Sequence, residues 1–301
     1  MRRSWVFLFL IPLVLMPLFA KTEIHGYWKS FALAVSIPEA MALEETNPPL
    51  GMVANRLRLK MSTHLSRSVQ LEAAWDLSPQ YSGTENPVIF SALAGTSRGG
   101  YRISDMRSRL IPAPEDPEAG FSLSHNLDRL LVTFRLPWAD IHVGRQAIAW
   151  GSSRVINPTD VIAPFAFNEL DTEDRRGVDA VRLRIPLGMM DELDMGWITG
   201  KNLDFGESAL YLRSRISILK MDTSLILMAF RRHLLLGFDL AGSIGGAGAW
   251  LETAWIKPGA FDPDNPARDK AYLRASLGLD YSFSGSVYAF GEYHFNGAGA
   301  G

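Results

Sequence analysis

Arginine is the residue type best placed to do chemistry in this chain, and it recurs at a fixed spacing. It outnumbers lysine 23 to 7 and stands as Arg-x-Arg at 56/58, 107/109, 182/184 and 213/215. On an extended chain residues i and i+2 point the same way, so each pair sets two guanidiniums on one face. A guanidinium is always charged and presents a planar fork of donors, so such a ladder either attracts anions or pairs with carboxylates. Carboxylates expected on the same face are Glu72, Asp76, Glu252, Asp280 and Glu292. Both readings stay open on sequence alone.

Catalytic chemistry finds less support. His25, His64, His125, His142, His233 and His294 are scattered, and Ser152 and Ser153 follow Gly151. There is no G-x-S-x-G elbow, H-E-x-x-H, Walker loop or dinucleotide glycine fingerprint. Asp262-Pro-Asp264-Asn265 lacks the closing Gly and Glu of a calcium loop and reads as a solvated turn. Cysteine is absent, which excludes thiol catalysis and cysteine-ligated metals. No enzyme, cofactor or metal site is expected. The formal charge of −2 becomes −4 without Arg2 and Arg3, a balance that does not suit nucleic acid.

The positioning elements begin after a leader. Arg2 and Arg3 precede an apolar run from Trp5 to Phe19, and Pro17-Leu18-Phe19-Ala20 ends on a small residue. About fifteen apolar residues fall short of the roughly twenty that a spanning helix needs, so 1–20 reads as a cleaved signal peptide rather than an anchor. No later segment is long and uncharged enough to cross as a helix. The remaining 21–301 shows no linker or composition shift and reads as one domain.

That domain alternates with period 2. Val287, Ala289, Tyr293 and Phe295 share one face of 286–295, and Ser286, Glu292 and His294 the other. Periodicity predicts strands near 25–35, 53–63, 68–77, 126–136, 139–147, 178–187, 191–199, 208–219, 222–232, 234–242, 246–257, 270–283 and 286–296. Short turns at 64–67, 137–138, 188–190, 220–221, 243–245 and 284–285 alternate with long connections at 36–52, 78–125, 148–177, 200–207 and 258–269, plus an ill-defined short link near His233. Ten-residue alternating segments, with short turns on one rim and long loops on the other, predict an all-β, antiparallel, up-and-down transmembrane β-barrel. A soluble sandwich has no reason to sort its loops by rim.

In a barrel the faces acquire meaning. Leu57, Leu59, Val181, Leu183, Leu212 and Ile216 would meet lipid, because an arginine there costs about 2–4 kcal/mol at the midplane. Arg56, Arg58, Arg182, Arg184, Arg213 and Arg215 would then line the interior with Glu72, Glu252 and Glu292. Trp28, Trp75, Trp138, Trp150, Trp197, Trp250 and Trp255 lie largely in strands or at their ends, as interfacial girdles require. Thirteen strands is an odd number, whereas single-chain bacterial barrels have an even one. The expectation is therefore a barrel of 14–16 or more strands with at least one beyond Gly301. The rival is a strand missed inside 78–125, where Arg102 to Leu110 alternates weakly.

The least strand-like stretch is the most distinctive: Gly144-Arg-Gln-Ala-Ile-Ala-Trp-Gly151, then Arg154-Val-Ile-Asn-Pro-Thr-Asp160, Pro164-Phe165 and Asp171 to Gly177. Asn157-Pro158-Thr159-Asp160 predicts a turn and a helix start capped by Thr159 or Asp160. About thirty-five residues here resemble the G-R-Q-x-I-x-W-G … N-P-T-D … P-F … R-R-G text of porin-like outer-membrane barrels of proteobacteria. The resemblance implies an outer-membrane channel and brings no catalytic residues. In such a reading 148–177 folds into or over the pore, with Arg145, Trp150, Asn157, Asp160, Arg175 and Arg176 as constriction candidates. An ordinary extracellular loop is the other reading. Together these features predict a Gram-negative outer-membrane channel for passive diffusion of small hydrophilic, by preference anionic, solutes. A non-conducting structural, assembly or surface-binding barrel is the alternative, and an outer-membrane hydrolase the more remote one. Lipid and solute are the partners implied, and the oligomeric state is left open.

Overall fold

The computed structural model describes residues 21–35, 50–83, 100–113, 116, 120–165, 173–262 and 270–299. The leader, and the parts of the long connections between these ranges, lie outside them. The strands are β1 (Thr22–Val35), β2 (Leu50–His64), β3 (Val69–Ser82), β4 (Ser108–Ile111), β5 (Phe121–Arg135), β6 (Asp140–Ala147) and β7 (Gly177–Pro186). They continue as β8 (Glu192–Ile198), β9 (Ala209–Ile218), β10 (Met221–Phe230), β11 (His233–Ile244), β12 (Ala247–Lys257), β13 (Tyr272–Ser282) and β14 (Tyr288–Asn296). All thirteen expected strands are present, each paired antiparallel with its chain neighbour, with β4 off the path on β5. No helix among the described residues is long and apolar enough to cross a membrane.

Exposure alternates as the period requires. Leu210 and Leu212 of β9 are exposed while Ala209 and Tyr211 are buried, and Val181 of β7 is exposed between buried Ala180 and partly buried Arg182. The solvent-facing side is thus the apolar one, which is the inversion that lipid demands. The arginine pairs at 56/58, 182/184 and 213/215 fall on the opposite, inner face, whereas Arg107 is exposed and Arg109 lies on β4, off the path.

Three short turns, two on one rim and one on the other, show how neighbouring strands are joined. Leu219–Lys220, Arg231–Arg232 and Gly245–Gly246 all have positive φ at both residues. That is the mirror-image turn whose twist matches two antiparallel strands. Glycine adopts it freely, whereas side-chain-bearing residues give up about 1–2 kcal/mol each. The Arg231–Arg232 turn is the link that periodicity left ill-defined near His233. It sits on the long-loop rim without a glycine to announce it.

Two irregularities matter for the site. Between β3 and β5 the register jumps, with Ala74 opposite Arg129 and Trp75 opposite Leu127. Asp128 is therefore the extra residue of a β-bulge, and the outward parity switches from Leu123 and Leu127 to Leu130 and Phe134. Farther along, β5 keeps β6 only as far as Leu130–Arg145, while β6 follows β7 to Ala147–Gly177. Residues 100–111 fill the resulting gap: Tyr101 O accepts from Asp179 N at 2.9 Å, and β4 pairs with β5 at 123–125. The weak alternation at Arg102–Leu110 thus contains a real strand, but one of four residues that leaves the spanning path at thirteen.

Candidate functional site

The connection between β6 and β7 has no regular structure through Phe165, so its backbone donors need partners from elsewhere. Carboxylates on the inner face supply them. Glu252 of β12, fully buried, accepts from Thr159 N (2.9 Å), Thr159 Oγ1 (2.7 Å) and Ser153 N (3.2 Å). Glu292 of β14 accepts from the three successive amides of Arg154 (2.7 Å), Val155 (3.3 Å) and Ile156 (3.1 Å), and from Trp250 Nε1 (2.9 Å). Arg154 Nη2 reaches Asp280 of β13 at 2.6 Å, and Ser276 Oγ donates to Ile156 O at 2.8 Å. Ser152 Oγ donates to Asp239 of β11. Gly151 makes the approach feasible: its φ is +103°, and a Cβ there would lie 2.3 Å from Asn157 Oδ1 and within 2.6 Å of both Glu252 oxygens.

The same stretch carries an apolar anchor. Ile148, Trp150 and Ile162 are buried against the inward side chains Ile198, Ile226, Met228, Leu235 and Ile256. Trp150 meets Tyr211 edge-on at 4.6 Å between ring centroids. This apolar packing fills part of the interior between β7 and β12, alongside the buried charges of the same strands.

At its far end the connection turns to the other side of the barrel. Glu173 pairs with Lys29 of β1, and Asp174 accepts from Tyr27 of β1 and from Lys60 of β2 at 3.1 Å. One connection thus touches both ends of the strand path, so the inner face curls around it. Burial opposes ionisation of Asp174. The Tyr27 hydrogen bond and the Arg58 and Lys60 charges outweigh it and hold the carboxyl at about 2. Arg175 ties the two halves of the connection together, donating to Ala163 O (3.1 Å), pairing with Asp160 (2.7 Å) and lying 3.8 Å over the Phe165 ring. The Asp160 contact is close but lacks hydrogen-bond alignment, and burial raises that carboxyl above its usual range despite Arg175.

The expected helix start at Thr159 or Asp160 is not formed. Residues 158–159 make a turn and 160–165 stay irregular: Thr159 donates from its amide and hydroxyl to Glu252, and Asp160 Oδ1 accepts from Ala163 N at 3.4 Å without a helical turn following through 165. Residues 166–172 lie outside the described ones.

The arginine ladder divides. Arg56 and Arg58 pair with Asp76 (2.7 and 3.1 Å), and Arg58 also with Asp128 (2.7 Å). Arg182 forms a two-bond fork with Asp194 (2.9 and 2.6 Å), which Tyr211 supports, and Arg184 pairs with Glu192. Arg213 donates to Ser224 Oγ at 2.9 Å. Neither it, nor Arg215, nor Arg274 of β13 has a carboxylate within 4 Å among the described residues. Glu72 accepts from Gln70 at 3.0 Å. Of the constriction candidates, Asp160 and Arg175 pair with each other, Trp150 lies in the apolar cluster, Asn157 stands against Gly151, and Arg176 is partly buried. Arg145 does not join them. Its guanidinium is spent on Asp179 (2.7 Å), Leu127 O and Ser104 O, closing the gap left by β6.

Two residues escaped the sequence reading. Asp128 is a hub for Arg58, Arg102, Arg129 and the Gly177 amide. The parity switch between Leu127 and Leu130 was a signal that could have found it. Arg274 is a single inward arginine, and an Arg-x-Arg search passes over it. Ser276–His294 and Ser108–His125 are hydrogen-bonded at 2.8 Å, but no described carboxylate bonds the second ring nitrogen of either histidine.

No family model and no curated protein matches the chain. Among solved structures it is similar to Pseudomonas aeruginosa OpdK, crystallised with vanillate, with a TM-score of 0.50 at 9% identity over 92% of this chain and 65% of that one. Acinetobacter baumannii OccAB4 gives 0.49 at 8% identity, covering 87% and 64%. A triple mutant of the Rhodopseudomonas blastica porin gives 0.39 at 10%, covering 92% and 95%. The chain spans about two thirds of the length of OpdK. The OpdK likeness shows the fold, an antiparallel up-and-down β-barrel of porin type.

Proposed function

We propose that this protein is an outer-membrane channel through which small hydrophilic solutes, anions by preference, diffuse down their gradient. The observation that carries this reading is the split of the ladder: Arg213, Arg215 and Arg274 stay without carboxylate partners on the inner face, beside a segment folded into the interior. Fixed positive charge in a confined passage attracts anions and sets selectivity without a cofactor. The vanillate in OpdK is a carboxylate, the class of solute that such charges would favour. In this reading residues 1–20 direct export, and 148–177 narrows the passage from inside.

Planar-bilayer recording of the purified protein tests the proposal. Stepwise conductance with a reversal potential on the anion side supports it. The apolar cluster of Ile148, Trp150 and Ile162 favours a second reading, in which the segment seals the barrel and the protein serves as a structural or surface-binding element. A folded, heat-modifiable but electrically silent protein would decide for that one.

A further inference from the structure

The short-turn rim ends in large apolar side chains. Leu136 and Trp138 stand at the β5–β6 turn, Leu187, Met189 and Met190 at the β7–β8 turn, and Leu219 at the β9–β10 turn. All are exposed, Met189 and Leu219 almost wholly. Hairpins that follow one another are two strand spacings, about 10 Å, apart, so these tips make one arc. The charges at this end of the wall, Asp140, Arg184, Glu192 and Arg215, lie on the inner face instead. An exposed apolar patch of this extent marks a contact surface.

The arc continues the outward stripe of the wall. On β7 that stripe is Val181, Leu183, Ile185 and Leu187, and the turn comes next. It stops above Val181, because Asp179 follows on the same face and is ion-paired with Arg145 at 2.7 Å. Six residues at about 3.3 Å each, tilted by about 40°, give about 15 Å along the barrel axis. Ile103, whose amide donates to Asp179 Oδ2 at 2.9 Å, lengthens this by about 5 Å at the same rise. The apolar band of such a barrel is about 25 Å tall, so the stripe falls about 5 Å short unless Met189 and Met190 belong to it.

Two further observations fit tips that leave water. Each turn closes its own backbone bonds: Leu136 N donates to Ala139 O (2.8 Å), Leu187 N to Asp191 O (2.9 Å), and Ile218 pairs with Met221. The Asp191 carboxylate accepts from Ser217 N of the next hairpin at 2.9 Å. Leu219 and Lys220 both have positive φ, in a turn that Gly245–Gly246 makes on the same rim without strain. A leucine and a lysine there cost stability that glycines would not. They supply an apolar tip beside a long amine that can reach headgroup phosphates.

We propose that the arc from Trp138 to Leu219 is a lipid-docking surface. It seats at the boundary between headgroups and acyl chains of a phospholipid leaflet, so the wall from β5 to β10 ends in the bilayer instead of standing in water. This rests on the reading of the protein as a membrane barrel.

The chain has no cysteine, so single cysteines report depth without background. M189C and L219C are labelled with bimane in the refolded mature chain and placed in phosphatidylcholine nanodiscs, which leave both rims accessible. L212C on the outward face of β9 and R232C on the opposite rim serve as references. The tip labels should emit to the blue of R232C and be quenched by lipid brominated near the headgroup end of its chains, and little by aqueous iodide. R232C should show the reverse. Unlabelled wild type gives a second reading: aqueous chloramine-T should oxidise Met189 and Met190 as slowly as Met195 of the outward face of β8. Iodide quenching at both tips equal to that of R232C would overturn the proposal, as would oxidation of Met189 well ahead of Met195. L212C separates the two levels of the argument. If it too answers to iodide and not to bromolipid, the membrane reading fails; if it answers to bromolipid while the tips answer to iodide, the docking surface alone is lost.

Discussion

Replacing Glu292 by glutamine should release the tip of the inner segment while leaving the barrel wall intact. The carboxylate accepts from Arg154 N at 2.7 Å, Trp250 Nε1 at 2.9 Å and Ile156 N at 3.1 Å, with a longer bond from Val155 N. Glutamine keeps one oxygen and turns its amide protons toward the other donors. With its oxygen in place of Oε2, glutamine keeps the Arg154 N and Trp250 Nε1 bonds in weaker, neutral form, and the Ile156 and Val155 amides that rest on Oε1 are stranded. Glu292 is only partly buried, so water replaces some of the loss, and the net cost of docking falls at about 2–4 kcal/mol. That raises the undocked population roughly 30- to 1,000-fold. In single-channel records E292Q should dwell far longer in a higher-conducting level than wild type. The cross-strand contact of Glu292 with Gly278 involves only backbone, so melting should change little. If E292Q keeps wild-type conductance and noise, then either Glu292 does not hold the tip or the tip does not obstruct the passage.

Charge reversal should sort the arginines by partner. R213E/R215E should shift the reversal potential toward cations and leave refolding near wild type. R182E leaves the fully buried Asp194 facing a second carboxylate and should cost about 3–5 kcal/mol in urea unfolding. Deleting Pro158 to Glu173 should raise conductance markedly, and unchanged conductance would make the segment a bystander. Asp174 should give an acid limb. Its carboxyl is held below its unfolded value near 3.9, so its contribution to docking is complete above about pH 4 and is lost as pH falls toward 2. Conductance of wild type should rise across that window, and D174N should show the raised level already at neutral pH. Asp160 is displaced the other way by burial and adds no acid lability.

The strands were legible because each carries a solid apolar face. Leu210, Leu212 and Ile216 alternate with Tyr211, Arg213 and Arg215, and a period-2 reading needs nothing more. Face was therefore readable, but register was not. Arg182 stands opposite Gly196 and reaches diagonally to Asp194, so its pairing depends on an alignment between strands that no single strand encodes. The Arg231–Arg232 turn was illegible for a different reason: its residues tolerate positive φ without preferring it. Segment 100–111 showed only a weak alternation at Arg102–Leu110, and its place was unreadable because the gap it fills exists only once β6 leaves β5.

Inside the barrel, the inner segment is held by different physics at its two ends. Near β11 to β14 its amides rest on Glu252 and Glu292, and Ile148, Trp150 and Ile162 are packed against inward apolar residues, contacts that salt hardly weakens. Near β1 and β2 it is held by ion pairs from Lys29 and Lys60, and the Glu173 and Lys60 ends of these remain open to solvent. Raised salt screens the second set much more than the first. The segment should therefore loosen from the β1–β2 side, opening a passage beside Arg56 and Lys60 before the β7–β12 side yields. Conductance that rises faster than bulk conductivity with added salt, and no longer does so in D174N, is the signature of that order. A strictly proportional rise in both proteins would refute it.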